Sequence, residues 1–134
     1  MAAGPRMNPV VHFEMPYEDR DRMVRFYEEV FGWKAQKLGP EMGNYVVVTT
    51  TESDVKANAP RGAINGGFWQ KRSDWPAQVP ALVIGVNDIR DSMQKVRDAG
   101  GEVLGEPMEI PGVGHYVSFF DTERNRVSLL EPSM

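Results

Sequence analysis

The chain has 134 residues, 41% of them apolar, and 15 basic against 19 acidic side chains give it a net charge of −4. This is enough for one globular domain, or for two half-size repeats that share a core. The charges are mixed along the chain, no apolar run approaches the roughly 18–20 residues of a membrane helix, and the start lacks a signal-peptide core. We therefore expect no nucleic-acid partner, no membrane partner and a cytoplasmic location. Cysteine is absent, so His12 and His115 are the only nitrogen ligands available to a typical metal site.

The first predicted element, within Pro9–Met15, is a strand with one apolar and one polar face. The apolar face consists of Val11, Phe13 and Met15. His12 and Glu14 share the opposite face, because successive side chains of a strand point to opposite sides. An imidazole beside a carboxylate can move protons near neutral pH, so we predict His12 and Glu14 as catalytic residues. The alternative for Glu14 is that it only holds His12 in place.

An amphipathic helix is predicted next, between an N-cap at Asp19 and a stop at Gly32, after a turn at residues 16–19. Its apolar stripe is Met23, Phe26, Tyr27, Val30 and Phe31. Spacings of three and four residues place these side chains on one side of a helix. Asp19 can accept hydrogen bonds from the free amides of the first turn. The helix should fold over the apolar face of the strand and leave His12 and Glu14 on the far side of the sheet.

Three further strands and a loop complete the first half of the chain. The strands are Trp33–Leu38, Tyr45–Thr50 and Ala63–Trp69, with a polar surface loop at Thr51–Arg61. Gly66 and Gly67 interrupt the last of these strands. We interpret them as a bulge, with the alternative that their amides approach a ligand.

The second half repeats the order of the first. It contains a strand at Val79–Val86, a helix at Asp88–Ala99 and strands at Glu102–Leu104, Tyr116–Phe120 and Arg126–Glu131. Gly43-Asn44-Tyr45-Val46 in the first half matches Gly114-His115-Tyr116-Val117 in the second. We therefore divide the chain into a flexible lead (1–8), a first module (9–69), a linker (70–79) and a second module (80–134).

These elements predict an α+β fold of two β-α-β-β-β modules that form a curved, cup-like, eight-stranded mixed sheet. With both helices on the outer side, the inner face is covered only if the sheet curls. The resulting cup is the expected ligand pocket. Its predicted ligand-binding residues are Asn65, Trp69, Val83, Tyr116 and Ser128.

The chain resembles the vicinal-oxygen-chelate superfamily, which includes glyoxalase I, bleomycin-resistance proteins and extradiol dioxygenases. The resemblance covers Asn8–Pro132 and rests on VVHFEMP, RFYEEVFGWK, AINGGFW, DAGGEV, IPGVGHYVSFFDTERN and LLEP in this order. Within the superfamily, the chain is most similar to small bacterial proteins related to lactoylglutathione lyase. The resemblance implies the paired-module fold and a homodimer, whereas the chemistry varies among proteins that share this scaffold.

In metal-dependent members, the ligands come from the first and fourth strands of the first module and from the first and last strands of the second. His12 matches the first position, the fourth strand has no carboxylate or imidazole, and Ala81 and Ser128 occupy the other two positions. A divalent ion normally needs three or four protein ligands, so we expect no cofactor. The alternative is a divalent metal held by His12, Glu14 and His115.

The leading functional hypothesis is a protein that binds a small aromatic or carbonyl-bearing molecule in the cup, without the usual metal. His12 and Glu14 would transfer protons in a reaction of the lyase or isomerase kind. One alternative is a metal-dependent lyase or dioxygenase. Another is a non-catalytic protein that sequesters a drug or metabolite, as bleomycin-resistance proteins do. His115 could gate or bind the substrate, and Arg126 could meet an anionic ligand.

Overall fold

The computed structural model describes residues 7–51 and 62–133. Most of the predicted loop at Thr51–Arg61, and residues 1–6 of the predicted lead, lie outside the described residues. The chain divides into two compact units, His12–Pro80 and Ala81–Met134 together with Met1–Val11. Neither of the helices within the described ranges is long and apolar enough to span a membrane.

The secondary structure follows the predicted order of two β-α-β-β-β modules. The elements are β1 (Val10–Tyr17), α1 (Arg20–Phe31), β2 (Lys34–Lys37), a short 3-10 helix (Pro40–Met42), β3 (Val46–Thr49), β4 (Asn65–Gln70), β5 (Ala81–Gly85), α2 (Ile89–Asp98), β6 (Glu102–Ile110), β7 (Gly114–Phe120) and β8 (Arg126–Pro132). Their hydrogen-bonded order is β2-β3-β4-β1-β5-β8-β7-β6. The β1–β4 and β5–β8 pairs are parallel, and the pairs within β2–β4 and β6–β8 are antiparallel. The predicted α+β class with an eight-stranded mixed sheet is confirmed.

In the unit His12–Pro80, α1 packs on one face of the sheet through Met23, Val24 and Tyr27. The predicted apolar stripe is correct only in part, because Phe26, Val30 and Phe31 are exposed. The side chain of Asp19 accepts a hydrogen bond from the amide of Arg22 at 3.0 Å, and Gly32 ends the helix with a φ of 71°. The buried core under this helix consists of Tyr17, Val24, Val46, Val48 and Phe68, with Phe13 and Met15 packed against it. The apolar face of β1 is therefore its helix side, and His12 and Glu14 are on the other side.

The two glycines of β4 do not form the bulge that we predicted. Gly66 and Gly67 continue the register with β1 and with β3 without interruption. A Cβ at Gly66 would overlap the ring of Phe13, and a Cβ at Gly67 would overlap the hydroxyl oxygen of Tyr45. Glycine is required here because an aromatic side chain lies over each residue, on opposite faces of the strand.

In the other unit, α2 packs on the corresponding face of β5, β7 and β8. Its buried core consists of Val86, Ile89, Met93, Val117, Phe119 and Leu129. Asp88 caps the helix, since its carboxylate accepts from the amide of Asp91 at 3.0 Å. A second carboxylate, that of Glu131, accepts from the amide of Ile89 at 2.8 Å. The helix side of this unit thus bears Glu131, while Ser128 is on the opposite side.

Strands β1 and β6 are longer than the sequence predicts, and β7 begins at Gly114, two residues earlier than predicted. Residues 16 and 17, assigned to a turn, belong to β1, because Tyr17 is buried and its hydroxyl donates to the carbonyl of Asn44 at 2.7 Å. The strand predicted at Glu102–Leu104 continues as β6 to Ile110 through its pairing with β7. A register irregularity interrupts that pairing between Leu104 and Met108, a segment that contains Gly105 at a φ of 95°. The bulge-like feature of the chain is therefore found there.

Candidate functional site

A chain of hydrogen bonds joins His12, Tyr45 and Glu14 on the sheet face opposite α1. The hydroxyl of Tyr45 lies 3.2 Å from Nε2 of His12 and donates to Oε2 of Glu14 at 3.0 Å. All three side chains are half-buried. They are therefore held in place by the protein and remain within reach of a small molecule.

The strand register explains why these three side chains meet. Glu14 is opposite Gly67 in the β1–β4 pair, and Val47 is opposite Gly67 in the β3–β4 pair. Tyr45 is two residues before Val47, so its side chain leaves the backbone on the same face. Because Gly67 has no side chain, the tyrosine hydroxyl can cross β4 and reach Glu14 on β1.

The direction of these hydrogen bonds sets the tautomer of His12. The Tyr45 proton goes to the carboxylate of Glu14, which as an anion only accepts. Nε2 of His12 therefore carries a hydrogen and donates to the tyrosine oxygen. Nδ1 is left with its lone pair, as the proton-accepting atom of the ring.

Burial lowers the pKa of His12 from its ordinary value of 6.5, and the negative charge of Glu14 opposes this shift in part. The lowered pKa means that the imidazole is neutral at pH 7. A neutral imidazole is the form that acts as a general base. His12 is thus in the state that the predicted proton transfer requires.

The other two predicted site residues of this unit also lie on β4. Asn65 is opposite His12 in the strand register, and its side-chain oxygen accepts from the amides of Thr50 and Thr51 at 2.7 and 3.1 Å. Trp69 packs against Trp75 with ring centroids 5.5 Å apart. Asn65 thus organises the end of β3, while the half-buried ring of Trp69 is on the same strand face as Gly67.

Val83, Tyr116 and Ser128 belong to the unit that contains α2 and form their own group there. Val83 is opposite Ser128 in the β5–β8 register, and both are buried. The hydroxyl of Ser128 donates to that of Tyr116 at 2.7 Å and lies 2.9 Å from the hydroxyl of Ser118. Arg126 donates to Ser118 at 3.4 Å.

His115 is on the helix side of β7. Its Nδ1 lies 3.9 Å from Oε2 of Glu131, whose other oxygen caps α2. The imidazole borders a shallow depression of about 400 Å³ that is also lined by Asp88, Ile89, Arg90, Pro107, Glu109 and Glu131. His115 therefore contacts the start of a helix, on the opposite face of β7 from Tyr116.

The side chains present do not fit the divalent metal of metal-dependent superfamily members. Within residues 7–51 and 62–133, no three His, Asp or Glu side chains are grouped closely enough to hold an ion. The strand β4 offers only amide, aromatic and glycine residues, and β5 is entirely apolar. No chemical step is therefore assigned to a metal.

Tyr45 is a member of this hydrogen-bonded group that the sequence analysis does not select as a site residue. The signal for its role was present, because Tyr45 shares strand parity with Val47 and a pair of glycines lies on the neighbouring strand. The contact between Tyr45 and Glu14 can be inferred only once the pairing of β1, β3 and β4 is known.

Comparisons with known proteins agree with this architecture. A family model described as the Glyoxalase/Bleomycin resistance protein/Dioxygenase superfamily matches residues 10–129. A glyoxylase-like domain-containing protein from Didymella fabae is 30% identical over 115 residues, and the match covers 84% of each protein.

Solved structures of similar fold include two methylmalonyl-CoA epimerases. The enzyme from Mycobacterium tuberculosis is 13% identical with a TM-score of 0.68, covering 93% of this chain and 88% of that chain. A Streptomyces coelicolor variant in complex with 2-nitronate-propionyl-CoA is 17% identical with a TM-score of 0.70, covering 96% of each chain. At these identities the likeness shows the fold alone.

Proposed function

Because this chain belongs to the Glyoxalase/Bleomycin resistance protein/Dioxygenase superfamily, we propose that it binds a small carbonyl-bearing molecule beside His12 and moves a proton to or from it. The observation that carries this proposal is the hydrogen-bonded chain of His12, Tyr45 and Glu14. In this chain of hydrogen bonds, His12 is a neutral base, the phenol of Tyr45 fixes the tautomer of the imidazole, and the carboxylate of Glu14 accepts a hydrogen bond from that phenol. The reaction class is that of a lyase or isomerase without the usual metal.

The proposed mechanism uses the side chains in the order of their hydrogen bonds. Nδ1 of His12 takes a proton from the carbon next to the ligand carbonyl, and the bonding electrons move onto the carbonyl oxygen as an enolate. The positive charge that develops on the imidazole is stabilised by Glu14, which acts through Tyr45 over about 6 Å. Delivery of a proton from solvent to the opposite face of that carbon, as the carbonyl double bond re-forms, completes an isomerisation that inverts the centre, and His12 then releases its proton to solvent.

The similar solved structures support this choice of ligand class. They include methylmalonyl-CoA epimerase in complex with methylmalonyl-CoA. An epimerase inverts one centre of its substrate, and next to a carbonyl group such inversion can proceed by proton removal and return. Carbonyl compounds, CoA thioesters among them, are therefore the first compounds to test.

A thermal-shift screen of keto acids, aldehydes and CoA thioesters tests the proposal. We expect a stabilising ligand for the wild type whose effect is lost in His12→Ala and reduced in Tyr45→Phe. Tyr27→Phe is the matched control, because the hydroxyl of Tyr27 contacts the sulfur of Met15 on the α1 side of the sheet. A ligand that stabilises His12→Ala as much as the wild type contradicts the proposed site.

Two further measurements separate this proposal from the alternatives. Mass spectrometry of ligand recovered after incubation shows chemical change if the protein is an enzyme, and unchanged ligand if it is a sequestering protein. Metal analysis of protein purified without chelator tests for a metal-dependent lyase or dioxygenase. A stoichiometric metal that is lost in His12→Ala would overturn the metal-free mechanism.

We also propose that the protein is a homodimer, as the superfamily resemblance implies. Phe26, Val30 and Phe31 on α1 are 53, 55 and 60% exposed, which is unusual for large apolar side chains on one helix. Light scattering should give a dimer for the wild type and for the control Glu28→Lys, and a monomer for Phe26→Glu with Phe31→Glu. A monomeric wild type contradicts the proposal. The cytoplasmic location stays a prediction.

A further inference from the structure

The side-chain amide of Asn65 is oriented by two backbone N–H groups at the end of β3. Its Oδ1 accepts from the amide of Thr50 at 2.7 Å and from the amide of Thr51 at 3.1 Å. A backbone N–H only donates, so the side-chain atom that faces both amides is the oxygen. Nδ2, on the other side of the planar amide group, is therefore directed away from Thr50 and Thr51.

The strand register places this amide beside His12. Asn65 is opposite His12 in the parallel β1–β4 pair, and opposite residues of paired strands have their side chains on the same face of the sheet. Gly67, two residues further along β4, shows which face this is, because a Cβ there would meet the hydroxyl of Tyr45. Neighbouring strands lie about 5 Å apart, so the side chains of Asn65 and His12 begin at that separation.

The nitrogen of this amide is accessible to a ligand. Within residues 7–51 and 62–133, both hydrogen bonds of the Asn65 side chain are made by Oδ1. Asn65 is also an exposed residue, the first of β4. The contact with β3 thus fixes the amide through its oxygen and leaves the two N–H donors of Nδ2 for a solute on the strand next to His12.

The proposed proton transfer requires a donor of this kind. When Nδ1 of His12 removes a proton from carbon, negative charge develops on the carbonyl oxygen of the ligand. The two donors already described in the group have other acceptors, because Tyr45 donates to Glu14 and Nε2 of His12 donates to the tyrosine oxygen. A fixed N–H donor at an oxygen on which charge develops is often among the largest contributions to catalysis.

We propose that Nδ2 of Asn65 donates a hydrogen bond to the carbonyl oxygen of the ligand and stabilises the enolate that forms when His12 takes the proton. This inference rests on the proposed function and assigns a further catalytic residue to it. Asn65 itself transfers no proton. The C–H bond breaks, its proton goes to Nδ1 of His12, its electrons form a carbon–carbon double bond, and the π electrons of the carbonyl group move onto the oxygen.

Two variants of Asn65 separate the donor from the contact with β3. Asn65→Asp keeps an oxygen for the amides of Thr50 and Thr51 but replaces the donor by an acceptor, so it should unfold close to the wild-type temperature. Asn65→Ala removes both atoms without adding charge. A property that is lost in both variants therefore depends on Nδ2. Asn87→Asp is the control for the added charge, because Asn87 is an exposed residue of the other unit.

An NMR titration of the ¹⁵N-labelled protein tests binding without requiring any reaction. The probe is sodium pyruvate, and the control is sodium propionate, which has hydrogens in place of the ketone oxygen. At constant ionic strength, we expect pyruvate to shift the side-chain amide signals of Asn65, which are identified by their absence in Asn65→Asp, and propionate to leave them unchanged. Signals that do not respond to pyruvate, or that respond equally to propionate, overturn the inference.

A kinetic test follows exchange of the pyruvate methyl protons in deuterium oxide. We expect kcat to fall about 10²-fold or more in both Asn65→Asp and Asn65→Ala, and KM to change less, because the donor interacts more strongly with the enolate than with the carbonyl group. Asn87→Asp should keep the wild-type kcat. A wild-type kcat in either Asn65 variant overturns the inference. If pyruvate shifts the Asn65 amide but no exchange occurs, the contact with the carbonyl oxygen is supported and the proposed proton transfer is contradicted.

Discussion

Replacing Glu14 by glutamine should lower the pKa of His12 further. The substitution keeps an oxygen that can accept from Tyr45 but removes the negative charge that opposes the effect of burial. Hydrogen bonds of 3.2 and 3.0 Å in sequence place the carboxylate within about 6 Å of the imidazole. With an effective dielectric constant of about 40 to 80, Coulomb's law gives about 0.7–1.4 kcal/mol for the interaction of the carboxylate with a protonated imidazole.

The assay is an NMR titration of the imidazole protons in a His115→Gln background, where His12 gives the only histidine signal. We expect a wild-type pKa below 6.5 and a lower one in Glu14→Gln. Tyr45→Phe keeps the carboxylate and should change the pKa less than Glu14→Gln does. An unchanged or raised pKa in Glu14→Gln would refute the electrostatic coupling, and a wild-type pKa above 6.5 would refute the burial of the imidazole.

Three other predictions concern stability. Because burial lowers the pKa of His12, the unfolded chain takes up a proton at this position before the folded chain does. The free energy of unfolding of the wild type should therefore decrease relative to that of His12→Gln as the pH drops below 6.5. Above pH 6.5 the difference between the two proteins should be constant. A difference that is constant at all pH values would contradict this prediction. Gly66→Ala should cost about 1–3 kcal/mol in urea denaturation, because its Cβ overlaps the core ring of Phe13, and an unchanged midpoint would refute that packing. Asp88→Ala should cost about 1 kcal/mol through loss of the α2 cap, whereas Asp98→Ala, at the last residue of the same helix, should cost less.

The helices and the faces of β1 could be predicted from the sequence because they depend on local patterns. Asp19 and Gly32 are the cap and the stop of α1 in the structure, as their residue types indicate. Alternation in β1 placed His12 and Glu14 opposite the helix. Each of these features is determined within a few residues along the chain.

The features that the sequence did not predict depend on register between strands. The role of Gly67 follows from the side chain of Tyr45, which is distant along the chain, and neither residue alone indicates the other. The same holds for β6, whose extension beyond Leu104 to Ile110 is stabilised by pairing with β7 although its residues alternate poorly. Sequence periodicity predicts the sheet face on which a side chain lies, whereas strand pairing determines which residues are its neighbours across the sheet.

Internal repetition provided part of that missing register. The match between residues 43–46 and 114–117 aligns Tyr45 with Tyr116, and the structure shows each as a member of a hydrogen-bonded group on the strand face opposite the helix of its own unit. The two groups differ at Glu14 and Val83, which occupy equivalent positions. The first module therefore has a carboxylate beside its tyrosine, whereas the second has serine hydroxyl groups beside its tyrosine.

The most direct test of the proposed function is hydrogen exchange at carbon. The carbonyl compound that binds best in the thermal-shift screen is incubated with chelator-treated protein in deuterium oxide, and ¹H NMR follows loss of the proton next to its carbonyl group. We predict exchange by the wild type, a decrease of about 10²-fold or more in His12→Ala, and wild-type exchange in Tyr27→Phe. Equal exchange by His12→Ala and the wild type, or exchange by the wild type only after a metal is added, would contradict the account.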